Sequence, residues 1–162
     1  MLSIACVLAG PFHATTPSAP SPPTGVDGTS WDIKVLHDGE CPLCEREINM
    51  LKARNPAHGN KIAFVDIASP SYNPADHGGL SYEAAMRTIH AIKRDGTVIQ
   101  GVTVFKELYE RVGLGFVYAF LSVPPLRAAA EALYNAWAAA RLPITGRPGL
   151  EVVLKEKATC RE

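Results

Sequence analysis

The chain has 162 residues, of which 47% are hydrophobic and 20% are charged, and sixteen basic residues balance sixteen acidic ones. This length fits one domain with appendages, and this composition supports a packed core and argues against a disordered chain. The neutral balance argues against nucleic acid as the main partner. Four cysteines are too few for a small scaffold held together by disulfides. We therefore expect a globular enzyme or binding module.

The first thirty residues differ from the rest of the chain. They contain no Lys or Arg, and residues 14–30 are rich in Ser, Thr, Pro, Gly and Ala. A secretory signal should have a basic start and a longer apolar segment, whereas a plastid transit peptide should be Ser-rich and poor in acidic residues, although also rich in Arg. We expect residues 1–30 to be a disordered leader or targeting segment, with plastid import favoured and a cytoplasmic location as the alternative.

From Trp31 onward the hydrophobic pattern becomes regular. It predicts strands at 33–36, 61–67, 88–93 and 97–100, and helices at 41–54, 81–87 and 102–112. Pro42 suits the first position of a helix, because its missing N–H is no loss there, and Asn55-Pro56 ends that helix. Ser81 is a good N-cap for the next helix, and Asp95-Gly96 is a strong hairpin turn.

The predicted order is therefore β-α-β-α-β-β-α, an α/β fold. The first two strands are joined by a crossover helix and should be parallel neighbours, whereas the last two should form an antiparallel hairpin. This is the thioredoxin-like arrangement. After it we expect additional C-terminal helices: the apolar run 116–123 is too short to span a bilayer, and 126–142 reads as an Ala-rich helix that packs on the sheet or on a partner.

The expected organisation thus has three parts. Residues 1–30 are the leader, residues 31–142 are the thioredoxin-like domain with its helical extension, and residues 143–162 are a tail without clear periodicity. Cys6 falls in the leader and Cys160 in the tail, where each is expected to be a bystander thiol.

Cys41 and Cys44 are the residues that carry chemistry. Two cysteines three apart on a helix lie on the same side, so their sulfurs can come within bonding distance. We expect Cys41 at the exposed tip of the helix and Cys44 shielded one turn deeper. The helix N-terminus stabilises an anion and lowers the pKa of a cysteine placed there. The pattern therefore predicts that Cys41 attacks a disulfide and that Cys44 resolves the mixed disulfide.

Asp38 and His37 precede the cysteine pair. The Asp38 carboxylate could accept or relay the proton of Cys41, but its charge would also raise the thiol pKa. Asp is equally expected at this position for the Asp-Gly turn. His37 would favour the thiolate if it were charged, although strand alternation could equally point it away.

Two other classes of function stay open for the same residues. The cysteine pair is also half of a zinc site, but tetrahedral zinc needs two more ligands and the remaining His and Cys residues are scattered. The chain could instead be a non-catalytic subunit that docks on an assembly or membrane through the apolar region 114–142. For the redox interpretation no cofactor is expected.

The residues from Asp38 to Cys44 resemble the Asp-X-X-Cys-X-X-Cys signature of the DCC family, thiol-disulfide oxidoreductase-like proteins also described as a domain of unknown function. The likeness extends over about residues 32–147. Further segments that resemble the family are Phe64-Val65-Asp66-Ile67, Thr88-Ile89-His90, Asp95-Gly96, Gly101-Val102 with Phe105, Pro124-Pro125-Leu126-Arg127 and Gly146-Arg147.

The resemblance implies a thioredoxin-like fold and disulfide reductase activity, with Cys41, Cys44 and Asp38 at the matching positions. The expected partners are a disulfide-containing protein or a small-molecule thiol, together with an external reductant. One departure from thioredoxins concerns the strand after the second helix, which they precede with a cis-proline. Here the segment 86–89 contains no proline, so we expect an altered substrate groove, and His90 on this strand is expected to be a core or surface histidine.

Overall fold

The computed structural model describes residues 31–159. Four strands and five helices make up this region, with short 3-10 helices between some of them. The strands are β1 (Ile33–His37), β2 (Ile62–Asp66), β3 (His90–Lys93) and β4 (Val98–Gln100). The helices are α1 (Pro42–Arg54), α2 (Tyr82–Arg87), α3 (Val102–Arg111), α4 (Pro124–Ile144) and α5 (Leu150–Thr159). Residues 1–30, with Cys6, and residue Cys160 lie outside the described residues.

The predicted helix-start, helix-capping and turn residues have these roles in the structure. Pro42 occupies the first position of α1, and Cys41 is its N-cap. The Ser81 hydroxyl accepts a hydrogen bond from the backbone N–H of Ala84 at 3.1 Å, which caps α2. Asp95 accepts from the N–H of Thr97 at 2.8 Å and thereby closes the turn between β3 and β4. The predicted elements of the core are thus confirmed, with ends that differ by one or two residues.

The four strands form one sheet in the order β2-β1-β3-β4. β1 pairs with β2 in parallel, and it pairs with β3 antiparallel on its other side. β3 and β4 form the expected antiparallel hairpin. The thioredoxin-like fold is therefore confirmed, and β1, which leads directly to Cys41, is a central strand.

Each face of the sheet is covered by its own group of helices. On one face, Ile33 and Val35 of β1 pack against buried residues of α1 and α3. On the other face, Leu36 and Ile92 pack against α2 and against residues near the C-terminus. Because successive side chains of a strand point to opposite faces, β1 contributes to both layers. The end of β1 therefore lies between two packed layers, and the start of α1 is anchored there.

A third apolar cluster joins the additional helices to the core. Val102 of α3 packs there with Leu121, Tyr134 and Ala138, the last two of which belong to α4. The Ala-rich helix thus packs within the chain, as one of its two expected roles requires. Among the described residues, no helix combines the length and the apolar character needed to cross a membrane.

The sequence assigned residues 143–162 to a tail without clear periodicity, and within it residues 150–159 form α5. Val153 of this helix is buried in the cluster around Leu36, together with Leu142 from the end of α4. The amphipathic pattern of α5 is weak, and of its residues 150–155 only Val153 is fully buried. Its packing against α2, rather than its own periodicity, is what stabilises it.

Candidate functional site

The turn between β1 and α1 positions the cysteine pair. The Asp38 carboxylate accepts a hydrogen bond from the backbone N–H of Glu40 at 3.1 Å, and the Asp38 carbonyl accepts one from the N–H of Cys41 at 3.2 Å. The N–H of Gly39 donates to the Asp66 carboxylate at 2.9 Å. A Cβ at residue 39 would lie 2.3 Å from that carboxylate, so any larger residue would displace Asp66 from this contact. The turn is therefore fixed both internally and by the end of β2.

The structure brings Cys41 and Cys44 together as free thiols. They approach to 3.0 Å, and neither forms a disulfide. Their exposure is the reverse of the expectation: Cys41 is 0% exposed, whereas Cys44 is partly exposed and lines a cavity. The expectation was wrong because Cys41 is the N-cap, held inside a turn, and because the C-terminal residues, which the sequence left unassigned, pack against this end of the domain.

Cys44 is the protonated partner of the pair. Burial raises the pKa of its thiol to about 12, with further contributions from its hydrogen bond with Cys41 and from the charge of Cys41. Arg141 lowers this pKa, but not enough to offset the other effects. The Cys44 thiol is therefore a hydrogen-bond donor toward Cys41.

Arg141, near the end of α4, reaches the cysteine pair from the opposite side. Its Nη1 lies 3.8 Å from the Cys44 sulfur, and its Nη2 donates to the carbonyl of Met86. The side chain is 4% exposed. A buried cation at this distance favours the thiolate form of Cys44 once the opposing charge on Cys41 is removed.

Arg147 joins the loop between α4 and α5 to the turn before Cys41. One of its nitrogens, Nη1, donates to Asp38 at 2.6 Å, and Nη2 donates to Glu40 at 2.7 Å. The Asp38 carboxylate is almost completely buried, so this pair is shielded from solvent. We call the pair of contacts the Arg147 clamp. Asp38 thus has the turn role that was expected, and it is also an ion-pair partner.

The two histidines considered from the sequence have different surroundings. His37 is buried and lines the same cavity as Cys44. Burial, aided by the nearby Lys52, lowers its pKa, so it is neutral at pH 7 and supplies no charge to the thiolate. His90 is buried in β3, where its ring nitrogen lies 2.9 Å from the Thr88 carbonyl, as expected of a core histidine.

No group of three or more His, Cys, Asp or Glu side chains is arranged to hold a metal ion within the part of the chain that the structure describes. A structural zinc site needs four ligands, and the cysteine pair supplies two. The described residues thus give the metal-binding alternative no support.

Sequence reasoning missed Arg141 and the clamp formed by Arg147. Two signals were available: Arg141 interrupts an Ala-rich stretch at the same spacing as Leu133 and Trp137, and Arg147 belongs to a segment with family resemblance. A charged residue on the apolar stripe of a helix needs a partner or a function. What the sequence does not give is which end of the sheet the helix approaches.

Comparison with known proteins agrees with this site. A family model described as DCC1-like thiol-disulfide oxidoreductase matches residues 35–147, which include the turn, both cysteines, Arg141 and Arg147. A relative from Arabidopsis thaliana, described as an uncharacterised chloroplastic protein, is 50% identical over 128 residues. The match covers 79% of this chain and 59% of the relative, so the chain spans about three fifths of that protein's length. No solved structure matches the chain.

The relative also bears on localisation. Its description places it in the chloroplast, which confirms the plastid location expected from the composition of residues 1–30. The compartment and the family were expected from separate parts of the sequence.

The first prediction concerns the pKa of Cys44. Replacing Cys41 by Ala removes a hydrogen bond and a charge that both raise this pKa, while burial remains. The pKa should fall from about 12 toward the ordinary value of 9.0. The pH dependence of Cys44 alkylation, followed by mass spectrometry in a background with Cys6 and Cys160 replaced by Ser, measures it. An unchanged or higher pKa would contradict the coupling.

The second prediction concerns the Arg147 clamp. Arg147→Met removes two ion pairs and should lower the free energy of opening the turn by about 1–2 kcal/mol, a factor of about 5–30 in population. Alkylation of Cys41 by iodoacetamide should accelerate accordingly. Arg127→Met is the matched control, because Arg127 is exposed on α4. If Cys41 is alkylated at the same rate in the two variants, the clamp does not shield this thiol.

Proposed function

Because the chain belongs to the DCC1-like thiol-disulfide oxidoreductase family, we propose that Cys41 and Cys44 are its redox-active dithiol. In this proposal the pair exchanges with a disulfide on a protein or small molecule and is restored by an external dithiol. The family name suggests a redox function, and the assignment of that function to these two residues is our own.

The observation that carries the proposal is the approach of the two cysteines to 3.0 Å at the start of α1. A disulfide has a sulfur–sulfur length of about 2.05 Å, so a movement of about 1 Å is enough to form it. The N-cap position of Cys41 is where a helix stabilises negative charge. Thiol-disulfide exchange needs a thiolate that attacks the substrate disulfide and a second thiol close enough to resolve the mixed disulfide, and this pair can supply both.

The proposed reaction has two exchange steps. The Cys41 thiolate attacks a substrate disulfide, a bond forms between Cys41 and one substrate sulfur, and the other sulfur leaves as a thiolate. Cys44 then attacks Cys41 and passes its proton to the departing thiolate. The second substrate thiolate leaves, and a Cys41–Cys44 disulfide remains. The dithiol has lost two electrons to the substrate, and an external dithiol returns them by the reverse sequence.

The interaction between the two cysteines determines when Cys44 attacks, which is the second step. Burial keeps the pKa of Cys44 high, and while Cys41 is a thiolate its hydrogen bond and its charge raise that pKa further. When Cys41 enters a mixed disulfide, that charge is gone, and the nearby Arg141 guanidinium then favours the Cys44 thiolate. Cys44 is thereby activated after the substrate is bound to Cys41 and not before.

In this proposal Asp38 acts by position and charge. Both of its carboxylate oxygens are engaged, one by the N–H of Glu40 and the other by Arg147. Because these contacts occupy both oxygens, we assign the carboxylate no part in proton transfer. Asp38 instead holds the turn that carries Cys41 and binds the clamp that must move before Cys41 is accessible.

A docking role through region 114–142 has one supporting observation. Phe116 is 76% exposed, and Phe120 is 44% exposed, so part of this region presents apolar surface. Tyr118 and Trp137, by contrast, are half-buried and line the cavity beside Cys44. The region therefore contributes to the candidate site as well as to the surface, and docking is compatible with redox activity.

The third prediction distinguishes the roles of the two cysteines. In the background without Cys6 and Cys160, Cys44→Ser should form a stable mixed disulfide on Cys41 with an aromatic disulfide reagent such as 5,5′-dithiobis(2-nitrobenzoate). It should release one equivalent of aryl thiolate, whereas the parent releases two and ends as an intramolecular disulfide. Mass spectrometry identifies the mixed disulfide or the intramolecular disulfide, and absorbance measures the aryl thiolate that is released.

Two outcomes would contradict this account. If Cys41→Ser forms its adduct faster than Cys44→Ser does, Cys44 is the attacking residue and the proposed order is wrong. If both single variants exchange disulfides as fast as the parent protein, the cysteine pair is not the site of the reaction.

A further inference from the structure

A cavity of about 580 Å³ opens beside Cys44. It lies between the first turns of α1 and the middle of α4, with the 3-10 segment around Tyr118 on its side. Its volume falls in the range of small-molecule sites, about 300–1,000 Å³. Buried residues such as Ile48 and Val102 line its inner part. The exposed Leu43 and Leu133 line its opening.

The side chains that line this cavity favour the binding of an aromatic or other apolar ligand. Phe105, Tyr118, Tyr134 and Trp137 all line it and contact one another as ring pairs. Ring faces and edges of this kind pack well against a flat apolar molecule. Such a molecule would remove water from both partners and would lie next to the redox pair, since Cys44 is part of the same wall.

Arg141 gives the cavity one buried positive charge. Its Nε is buried and has no hydrogen-bond partner, and no carboxylate within the described residues forms an ion pair with this side chain. A buried cation without a counterion is costly, and an anion that reaches it gains a charge-assisted hydrogen bond. The lining carboxylate of Glu47 is engaged by the hydroxyl of Tyr109 at 2.6 Å.

The backbone next to the cysteines is not available to an extended peptide. The Met86 carbonyl accepts from Arg141, the Thr88 carbonyl contacts the ring of His90, and the Ile89 N–H donates to the Tyr134 hydroxyl at 3.0 Å. β3, which follows, is paired on both edges. Strand addition at this segment therefore has few free donors and acceptors, which favours a small molecule over a peptide strand.

From these observations we propose that the cavity is a binding site for a small apolar, aromatic-type molecule with one anionic group, which Arg141 holds beside Cys44. The inference rests on the proposed redox function and names the class of ligand that the cavity beside Cys44 takes. The apolar part of the molecule packs against the aromatic side chains, and its carboxylate-like group accepts a hydrogen bond from the Arg141 guanidinium, which lines the cavity. The bound molecule then lies against the dithiol from the cavity side.

The test is calorimetric binding of two matched probes to the reduced full chain. 2-Naphthoate carries the anionic group, and 2-naphthalenemethanol has the same ring system without charge. We expect 2-naphthoate to bind at least tenfold more tightly than the alcohol. Arg141→Met should remove this preference, and Arg141→Lys should retain part of it. The matched control Arg127→Met, an exposed arginine on the same helix, should leave it unchanged.

A second variant tests the cavity without touching the charge. Ala130 lines the cavity, and Ala130→Phe should fill it and weaken both probes at least tenfold. Ala139→Phe, at an exposed position of the same helix, should have no effect. Far-ultraviolet circular dichroism verifies that each variant is folded. Equal affinities of the two probes, or affinities unchanged in Arg141→Met and Ala130→Phe, would overturn the proposal, as would absence of binding.

The same measurements separate this proposal from the redox function on which it rests. Binding is repeated with Cys41→Ser/Cys44→Ser, which cannot exchange disulfides and should still bind 2-naphthoate. If the parent protein exchanges disulfides but binds neither probe, the cavity proposal fails alone. If it binds 2-naphthoate selectively but does not exchange disulfides, the redox function fails alone.

Discussion

The ion pair between Arg147 and Asp38 connects the last loop of the family-matched region to the turn that leads into α1. Both partners are largely buried, and the 2.6 Å contact replaces hydration that each charge loses. The turn on one side of this contact positions Cys41, and the chain on the other side leads from α4 to α5. The ion pair thus makes a local helix-start motif dependent on residues about a hundred positions away, and it links the burial of Cys41 to the packing of the C-terminal helices.

That dependence changes how the cysteine pair is understood. In an isolated strand-turn-helix unit the first cysteine would be at an exposed tip. Here Cys41 is enclosed and Cys44 faces a cavity, so reaction at Cys41 requires a local opening whose free energy the Arg147 clamp contributes to. Arg141 makes a second connection from α4, to Cys44 and to the backbone before β3. The two arginines hold the C-terminal region against the cysteine pair and the turn before it from two directions.

The sequence predicts the strands, the first three helices, the sheet pairing and the identity of the cysteine pair, because each rests on short-range chemistry. Pro42 starts a helix, Ser81 caps one, and Asp95-Gly96 turns a hairpin wherever they occur. The exposure of Cys41 was predicted wrongly and the helix at residues 150–159 was not predicted, because both depend on tertiary packing. α5 has few buried positions of its own, and Val153 is buried only because α2 and the end of α4 meet there. The partners of Asp38 and Cys44 likewise depend on where α4 ends, which no local pattern specifies.

The central claim is that Cys41 and Cys44 form a reversible intramolecular disulfide. It is tested most directly by equilibrating the chain without Cys6 and Cys160 in glutathione buffers of graded potential and quantifying the Cys41–Cys44 disulfide by mass spectrometry. The account predicts a single two-electron transition, with a tenfold change in the oxidised-to-reduced ratio for every ~30 mV. Persistence of both free thiols across the series, or formation of glutathione adducts alone, would contradict it.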